Sequence, residues 1–251
     1  MLIFTHIPKS GGTSLDKILE DQYGGKWLRV NSPDHWLSMS AAEKEGIKVV
    51  SGHFRYGIHE VIPGEHQYIS LMREPVHRLV SHYVFAISRP DHYIHKKLID
   101  RDPELKRANL EYEMERIDQI ELAERIHERC GVEDYVLSGV TTETDNSQTR
   151  IISGMSPPFG ECNDEMVEVA IRNIRDSYAY VGIMERFVES MERFEKILDW
   201  PMQSPTVFVN KGVELPISKE ISNEVKAKIR AFNRYDSKLY NHVKKEFSEW
   251  S

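Results

Sequence analysis

The nine residues His6-Ile-Pro-Lys-Ser-Gly-Gly-Thr-Ser14 combine one lysine, two glycines and three hydroxyl side chains, just after an apolar run and just before an amphipathic one. Those residue types in that order suit an anion cradle. The N-terminus of a helix presents unpaired N–H groups and the positive end of the dipole. Gly11 and Gly12 let backbone amides approach a ligand with no Cβ in the way. Ser10, Thr13 and Ser14 add hydroxyl donors, and Lys9 adds a mobile positive charge. The competing reading is a plain Gly-Gly turn with Thr13 capping the helix. Several anions fit such a cradle. The Walker A loop, GxxxxGK[ST], does not match, because Lys9 precedes the glycines and no glycine lies four residues earlier. That counts against an ATPase or kinase built on this loop.

A second element reads Met72-Arg73-Glu74-Pro75-Val76-His77-Arg78-Leu79-Val80-Ser81-His82-Tyr83. Arg73 ends an expected strand. Ser81 lies two turns into the following helix, on the flank shared with His77 and Arg78 and off the apolar stripe. An arginine at a strand end and a serine off the core face can together hold a phosphate, the arginine bidentately. On its own, the segment better suits a surface ion pair of Arg73 with Glu74 or another carboxylate.

The elements that must position these residues follow from periodicity. Leu2–Ile7, Lys48–Ser51, Tyr68–Met72, Tyr180–Ile183 and Thr206–Val209 read as short strands. Leu15, Ile18 and Leu19 recur at helical spacing. From Pro75 a helix is expected with Val76, Leu79, Val80, Tyr83, Val84 and Ile87 on one stripe. Strands alternating with helices predict an α/β fold whose central, mostly parallel sheet is flanked by helices. Ligands in such sheets bind beyond the carboxyl ends of the strands, where both polar elements fall. Residues 92–130 are highly charged and short of strand signals, and read as a helical insertion within a single domain spanning 1–251. Ile221 to Phe247 reads as helical, with Tyr235-Asp-Ser-Lys-Leu-Tyr240 closing it onto the body.

Bulk composition narrows the function classes. Forty per cent hydrophobic residues in a 251-residue chain is enough for a sizeable core. A net charge of −7 argues against a general nucleic-acid or anionic-membrane binder. The two cysteines, Cys130 and Cys162, carry no metal-ligand spacing and read as reduced thiols. No apolar run approaches membrane-spanning length, and no charged n-region precedes the first strand, so the expectation is a soluble cytoplasmic protein.

Together the two polar elements resemble a known family. HIPKSGGTS resembles the 5′-phosphosulfate loop of sulfotransferases that use 3′-phosphoadenosine 5′-phosphosulfate (PAPS). MREPVHRLVSHY resembles their 3′-phosphate motif, with its arginine and serine eight residues apart. The closest resemblance is to the branch with the carbohydrate sulfotransferases of the heparan 2-O-sulfotransferase type and many bacterial relatives. Ser51-Gly-His-Phe54, Asn146-Ser-Gln-Thr-Arg150 with Ile-Ile-Ser-Gly154, Tyr180-Val-Gly-Ile-Met-Glu-Arg-Phe187 and Asp236-Ser-Lys-Leu-Tyr240 add softer matches.

The resemblance implies a topology like that of the P-loop-containing nucleoside triphosphate hydrolases. It also implies metal-free, in-line transfer of a sulfuryl group from PAPS to an acceptor hydroxyl, leaving adenosine 3′,5′-bisphosphate. Lys9 would stabilise charge on the bridging oxygen of the leaving phosphate. Ser10, Gly11, Gly12, Thr13 and Ser14 would hold the 5′ phosphate, and Arg73 with Ser81 the 3′ phosphate. His53 matches the family's catalytic histidine segment and becomes the candidate base, against the competing reading of a strand-end histidine bonded to backbone. His6, Glu74 and Glu60 are its weaker rivals. Asn146–Arg150 is expected to line the cleft, with Arg150 touching acceptor or cofactor, although a loop capping a helix fits the same residues. Lys211-Gly212 would close over the nucleotide. The acceptor is expected to be a carbohydrate or a small glycosylated or hydroxylated metabolite, since the acidic balance lends no support to a polyanionic one. A kinase-like phosphotransferase and a silent nucleotide-binding module are the alternatives. The position of Lys9 counts against the first, and the retention of Lys9 and His53 against the second.

Overall fold

Five short strands form one sheet in a computed structural model, which describes residues 1–199 and 221–249. They are β1 (Leu2–Thr5), β2 (Trp27–Arg29), β3 (Val49–Gly52), β4 (Gln67–Met72) and β5 (Tyr178–Ile183), in the order β2-β3-β1-β4-β5, and every neighbouring pair is parallel. The central strand β1 aligns Thr5 with Gly52 of β3 and with Ser70 of β4. All carboxyl ends therefore meet at one edge. β1, β3 and most of β4 are buried throughout, as strands covered on both faces must be.

Parallel neighbours need crossovers, and helices supply them. Helix α1 (Gly12–Tyr23) links β1 to β2, and α2 (Pro33–Ser38) and α3 (Ala41–Lys44) link β2 to β3. Ser32 caps α2 by accepting from His35 N, and Ser40 with Glu43 forms a capping box on α3. After β4 the chain continues through α4 (Pro75–Ile87), α5 (Tyr93–Ile99), α6 (Pro103–Glu113), α7 (Gln119–Arg129) and α8 (Val132–Leu137). Then come α9 (Ser147–Ser153) and α10 (Asp164–Ser177), which lead into β5, followed by α11 (Phe187–Leu198), α12 (Asn223–Phe232) and α13 (Arg234–Glu249).

The described residues fall into two compact units. One comprises Met1–Glu74, residues 146–199 and residues 235–249; the other comprises Pro75–Asp145 and residues 221–234. The first holds the sheet and a core that includes Ile3, Phe4, Leu15, Val50, Ile69, Leu71 and Phe194. The second is wholly helical, with its own core around Leu79, Tyr83, Ile87, Leu122, Ile126 and Tyr135. Within it Glu143 accepts hydrogen bonds from His82 Nε2 and Tyr93 Oη, each at 2.8 Å, while its backbone carbonyl accepts from Arg78 Nη2 at 2.9 Å. Burial would raise the Glu143 pKa, but the His82, Tyr93 and Arg78 contacts prevail and bring it down to about 2.

The α/β expectation holds: a five-stranded parallel sheet flanked by helices. Four expected strands lie within two residues of their observed bounds. The strand expected at Thr206–Val209 lies outside the described residues. Strand β2 was not expected, because Trp27-Leu-Arg29 is too short to show a period. The helical insertion expected at 92–130 is helical, and the unit containing it begins earlier, at Pro75. The stretch expected to be helical over 221–247 is helical, in two helices, α12 and α13, that meet at Asn233. Neither Cys130 nor Cys162 forms a disulfide. No helix among the described residues is long and apolar enough to cross a membrane.

Candidate active site

The loop after β1 rises from the carboxyl edge of the sheet and turns sharply into α1. Two of its residues have left-handed backbone, Lys9 at φ 66° and Gly11 at φ 83°. For a lysine this is an uncommon conformation, of the kind that persists where surrounding structure imposes it. Gly11, and not Thr13, is the N-cap residue of α1. A Cβ on Gly12 would lie 2.2 Å from His6 Cδ2, and one on Gly11 would lie 2.3 Å from Met184 Sδ. Glycine is required at position 12 by the His6 ring, which Asp16 holds, and is favoured at position 11 by its positive φ. No acidic residue occupies the first turn of α1, so the positive end of the dipole is not neutralised there. Ser14 is buried and Thr13 exposed. Ser10 is wholly buried, and among the described residues its Oγ has no hydrogen-bond partner. A buried hydroxyl without a partner, inside a loop shaped by two glycines, fits a site whose ligand supplies the missing acceptor.

Arg73 closes β4 beside that loop and donates through Nη1 to the Lys9 carbonyl at 3.1 Å. Among the described residues its other guanidinium N–H groups meet no acceptor. Burial pulls its pKa below the ordinary arginine value, against the opposing charges of Glu185 and Glu74. A partly desolvated guanidinium with donors to spare favours an anionic partner.

The Arg73 backbone is fixed from the far side. Its N–H donates to Gln148 Oε1 at 3.0 Å, and its carbonyl accepts from Gln148 Nε2 at 2.9 Å, so the carboxamide pairs with the peptide as a neighbouring strand would. Gln148 lies in the first turn of α9, whose N-terminus is capped by Asp236 of α13. That carboxylate accepts from Gln148 N at 3.3 Å, Thr149 N at 2.8 Å and Thr149 Oγ1 at 2.9 Å. Asn146 Oδ1 in return accepts from Tyr235 N and Asp236 N. Arg150 is 2% exposed and donates to the carbonyls of Pro157 at 2.6 Å and Pro158 at 3.0 Å. Asn146–Arg150 is thus a buried scaffold that caps a helix and sets the height of Arg73.

His53 follows β3 at the same edge and is exposed. Its Nδ1 donates to the His6 carbonyl at 2.7 Å, and its Nε2 accepts from Arg29 Nη2 at 3.1 Å. A guanidinium only donates, so Nδ1 carries the proton and Nε2 the lone pair. Arg29 is held in turn by Asp16, Nη1 to Oδ2 at 2.5 Å, and the same oxygen accepts from His6 Nδ1 at 2.9 Å. Burial of Asp16 would raise its pKa, but the His6 hydrogen bond and charge, with Arg29, hold it below the usual carboxylate range. His6 is buried, packs against Gly12 and lies 4.3 Å from the His53 ring, centroid to centroid. It shapes the loop, whereas His53 faces outward.

The sheet unit thus brings Lys9, Ser10, Gly11, Gly12, Thr13, Ser14, His53 and Arg73 to one edge. Glu74 is anchored there through its N–H to Glu185 Oε1 at 2.9 Å, and Glu60 is exposed at the end of a short turn, Ile58–Glu60. Ser81 belongs to the helical unit, half-buried on α4. Lys211 and Gly212 lie outside the described residues. Sequence reasoning missed Asp16, Arg29 and the clamping roles of Gln148 and Asp236. An aspartate set between Leu15 and Leu19 on the buried flank of α1 was a legible sign; Arg29, closing a three-residue strand, left none.

The Sulfotransferase family model matches residues 1–153, more than half of the 251-residue chain, and the match takes in the loop after β1, His53 and Arg73. No curated protein matches the chain significantly.

Proposed function

The chain belongs to the sulfotransferase family, and we propose that it moves a sulfuryl group from PAPS to a hydroxyl of a carbohydrate or a small glycosylated metabolite. One observation carries this reading. Arg73 grips the carbonyl of Lys9 while, among the described residues, its other guanidinium donors stay open beside a loop whose Ser10 hydroxyl lacks a partner. Such a pairing suits a nucleotide with two separate phosphate groups.

On this reading the residues divide the work as phosphoryl-transfer sites do, by positioning and electrostatics. The amides of Gly11, Gly12 and Thr13, with the hydroxyls of Ser10 and Ser14, cradle the 5′ phosphate. Arg73 takes the 3′ phosphate. PAPS supplies the activated sulfuryl group. Lys9 offsets negative charge on the departing phosphate oxygen. His53 takes the hydroxyl proton at Nε2, the nitrogen its hydrogen bond to His6 leaves unprotonated. Cys130 and Cys162, which form no disulfide, suit a reducing compartment, in keeping with a cytoplasmic enzyme.

The test is a thermal-shift titration with adenosine 3′,5′-bisphosphate, adenosine 5′-phosphate and ATP. A ligand that binds only the folded state raises its stability with concentration. The expected result is a shift with the bisphosphate well above that with either other nucleotide. Equal shifts, or a preference for ATP with magnesium, would overturn the reading.

A further inference from the structure

The group facing the lone pair of His53 Nε2 is Arg29 Nη2, at 3.1 Å. We propose that Arg29 is a catalytic residue that occupies the place of the acceptor hydroxyl in the resting enzyme and then turns onto the acceptor oxygen. The inference rests on His53 being the base of the sulfuryl transfer proposed above.

The arrangement is built for a swing about a fixed point. Nη1 of Arg29 is anchored at 2.5 Å on Asp16 Oδ2, and the Asp16 side chain is only 8% exposed. Asp16 is itself fixed by its place on α1 and by His6. The Arg29 side chain is 40% exposed, so it is not sealed in the core as its Asp16 partner is. Rotation about the anchored end moves Nη2 off Nε2 without breaking the ion pair.

The chemistry of the vacated position selects the acceptor. A hydroxyl has one hydrogen to donate and two lone pairs to offer. It can donate to Nε2 and accept from Nη2 at once. An ammonium has no lone pair and brings a second positive charge to the guanidinium, so the pair favours an alcohol over a protonated amine. As the O–H proton passes to Nε2, the oxygen forms its bond to sulfur and the sulfur–phosphate oxygen bond breaks, its electron pair leaving on the phosphate. The negative charge developing on the acceptor oxygen then faces Arg29, and electrostatic stabilisation aimed at a developing charge is the most effective kind.

The test reads His53 directly. Diethyl pyrocarbonate carbethoxylates unprotonated imidazole nitrogen, and peptide mapping gives the rate at His53. Wild type is compared with Arg29→Ala and with Arg29→Met, which keeps the apolar stem should the alanine variant fold poorly. Removing the donor from Nε2 is expected to speed the reaction at His53 about tenfold, with Asp16→Asn intermediate because the anchor weakens. In turnover assays with PAPS, Arg29→Met is expected to lower kcat while leaving the thermal shift with adenosine 3′,5′-bisphosphate unchanged. Equal carbethoxylation of wild type and both Arg29 variants would overturn the proposal, and so would faster carbethoxylation with unchanged kcat. The bisphosphate titration of the wild type fails independently: loss of its preference there would sink the donor assignment and leave the carbethoxylation result standing.

Discussion

Arg73 Nη1 donates to the carbonyl oxygen of Lys9 across 3.1 Å, so a single guanidinium ties the end of β4 to the loop after β1. Its remaining donors are the ones assigned to the 3′ phosphate. Arg73→Ala should therefore weaken adenosine 3′,5′-bisphosphate by about ten- to a hundredfold, the range for a lost charge-assisted hydrogen bond. Adenosine 5′-phosphate should change much less, so the preference collapses. Arg73→Lys should recover only part of it, because an ammonium cannot reproduce the bidentate fork. Isothermal titration of both nucleotides checks this.

Ser10 separates binding from stability. Among the described residues its Oγ is buried with no partner, an arrangement that costs the fold free energy. Ser10→Ala should leave the ligand-free protein as stable or more stable, by up to about 1 kcal/mol, while weakening the bisphosphate several-fold. Denaturant melts with and without nucleotide read both effects, and a destabilised ligand-free variant would contradict the assignment.

Gly12 tests the fit between helix and histidine. The His6 ring is pinned by Asp16, so it cannot easily yield to a Cβ placed 2.2 Å from Cδ2. Gly12→Ala should cost about 2 kcal/mol of stability and shift the loop enough to lose bisphosphate binding. A variant with wild-type melting and binding would show that the loop adapts.

The position of the site was legible in the sequence; its internal support was not. The placement of Lys9, His53 and Arg73 at one edge follows from short apolar runs ending in polar residues, a pattern that parallel strands impose. Gln148 and Asp236 read as cleft lining and as a closing segment, because a buried polar residue that pairs with backbone leaves no periodic trace. Asp16 is hidden for a related reason. Its partners, His6 and Arg29, come together only after the sheet has formed, across 10 and 13 positions of sequence.

The helical unit carries its own pH dependence. Glu143 is held at about 2 against an ordinary value of 4.5, so its charge stabilises the fold. For a depressed carboxylate that contribution is complete above the unfolded value and is lost as pH falls from about 4.5 toward about 2. Glu143→Gln should cost on the order of 2 kcal/mol at pH 7. The gap from wild type should narrow steadily through that acid window in urea melts. A gap independent of pH would place the stabilisation elsewhere.

The Asp236 cap on α9 has a consequence for the order in which the protein matures. Arg73, Gln148 and Asp236 are joined in series, yet they leave the ribosome far apart in time. A nascent chain that has reached Asn233 holds the loop after β1, the glycines and the arginine, but not the carboxylate that pins the helix carrying Gln148. The height of Arg73 is therefore set only once α13 emerges. The edge of the sheet translated first is thus braced by the helix translated last.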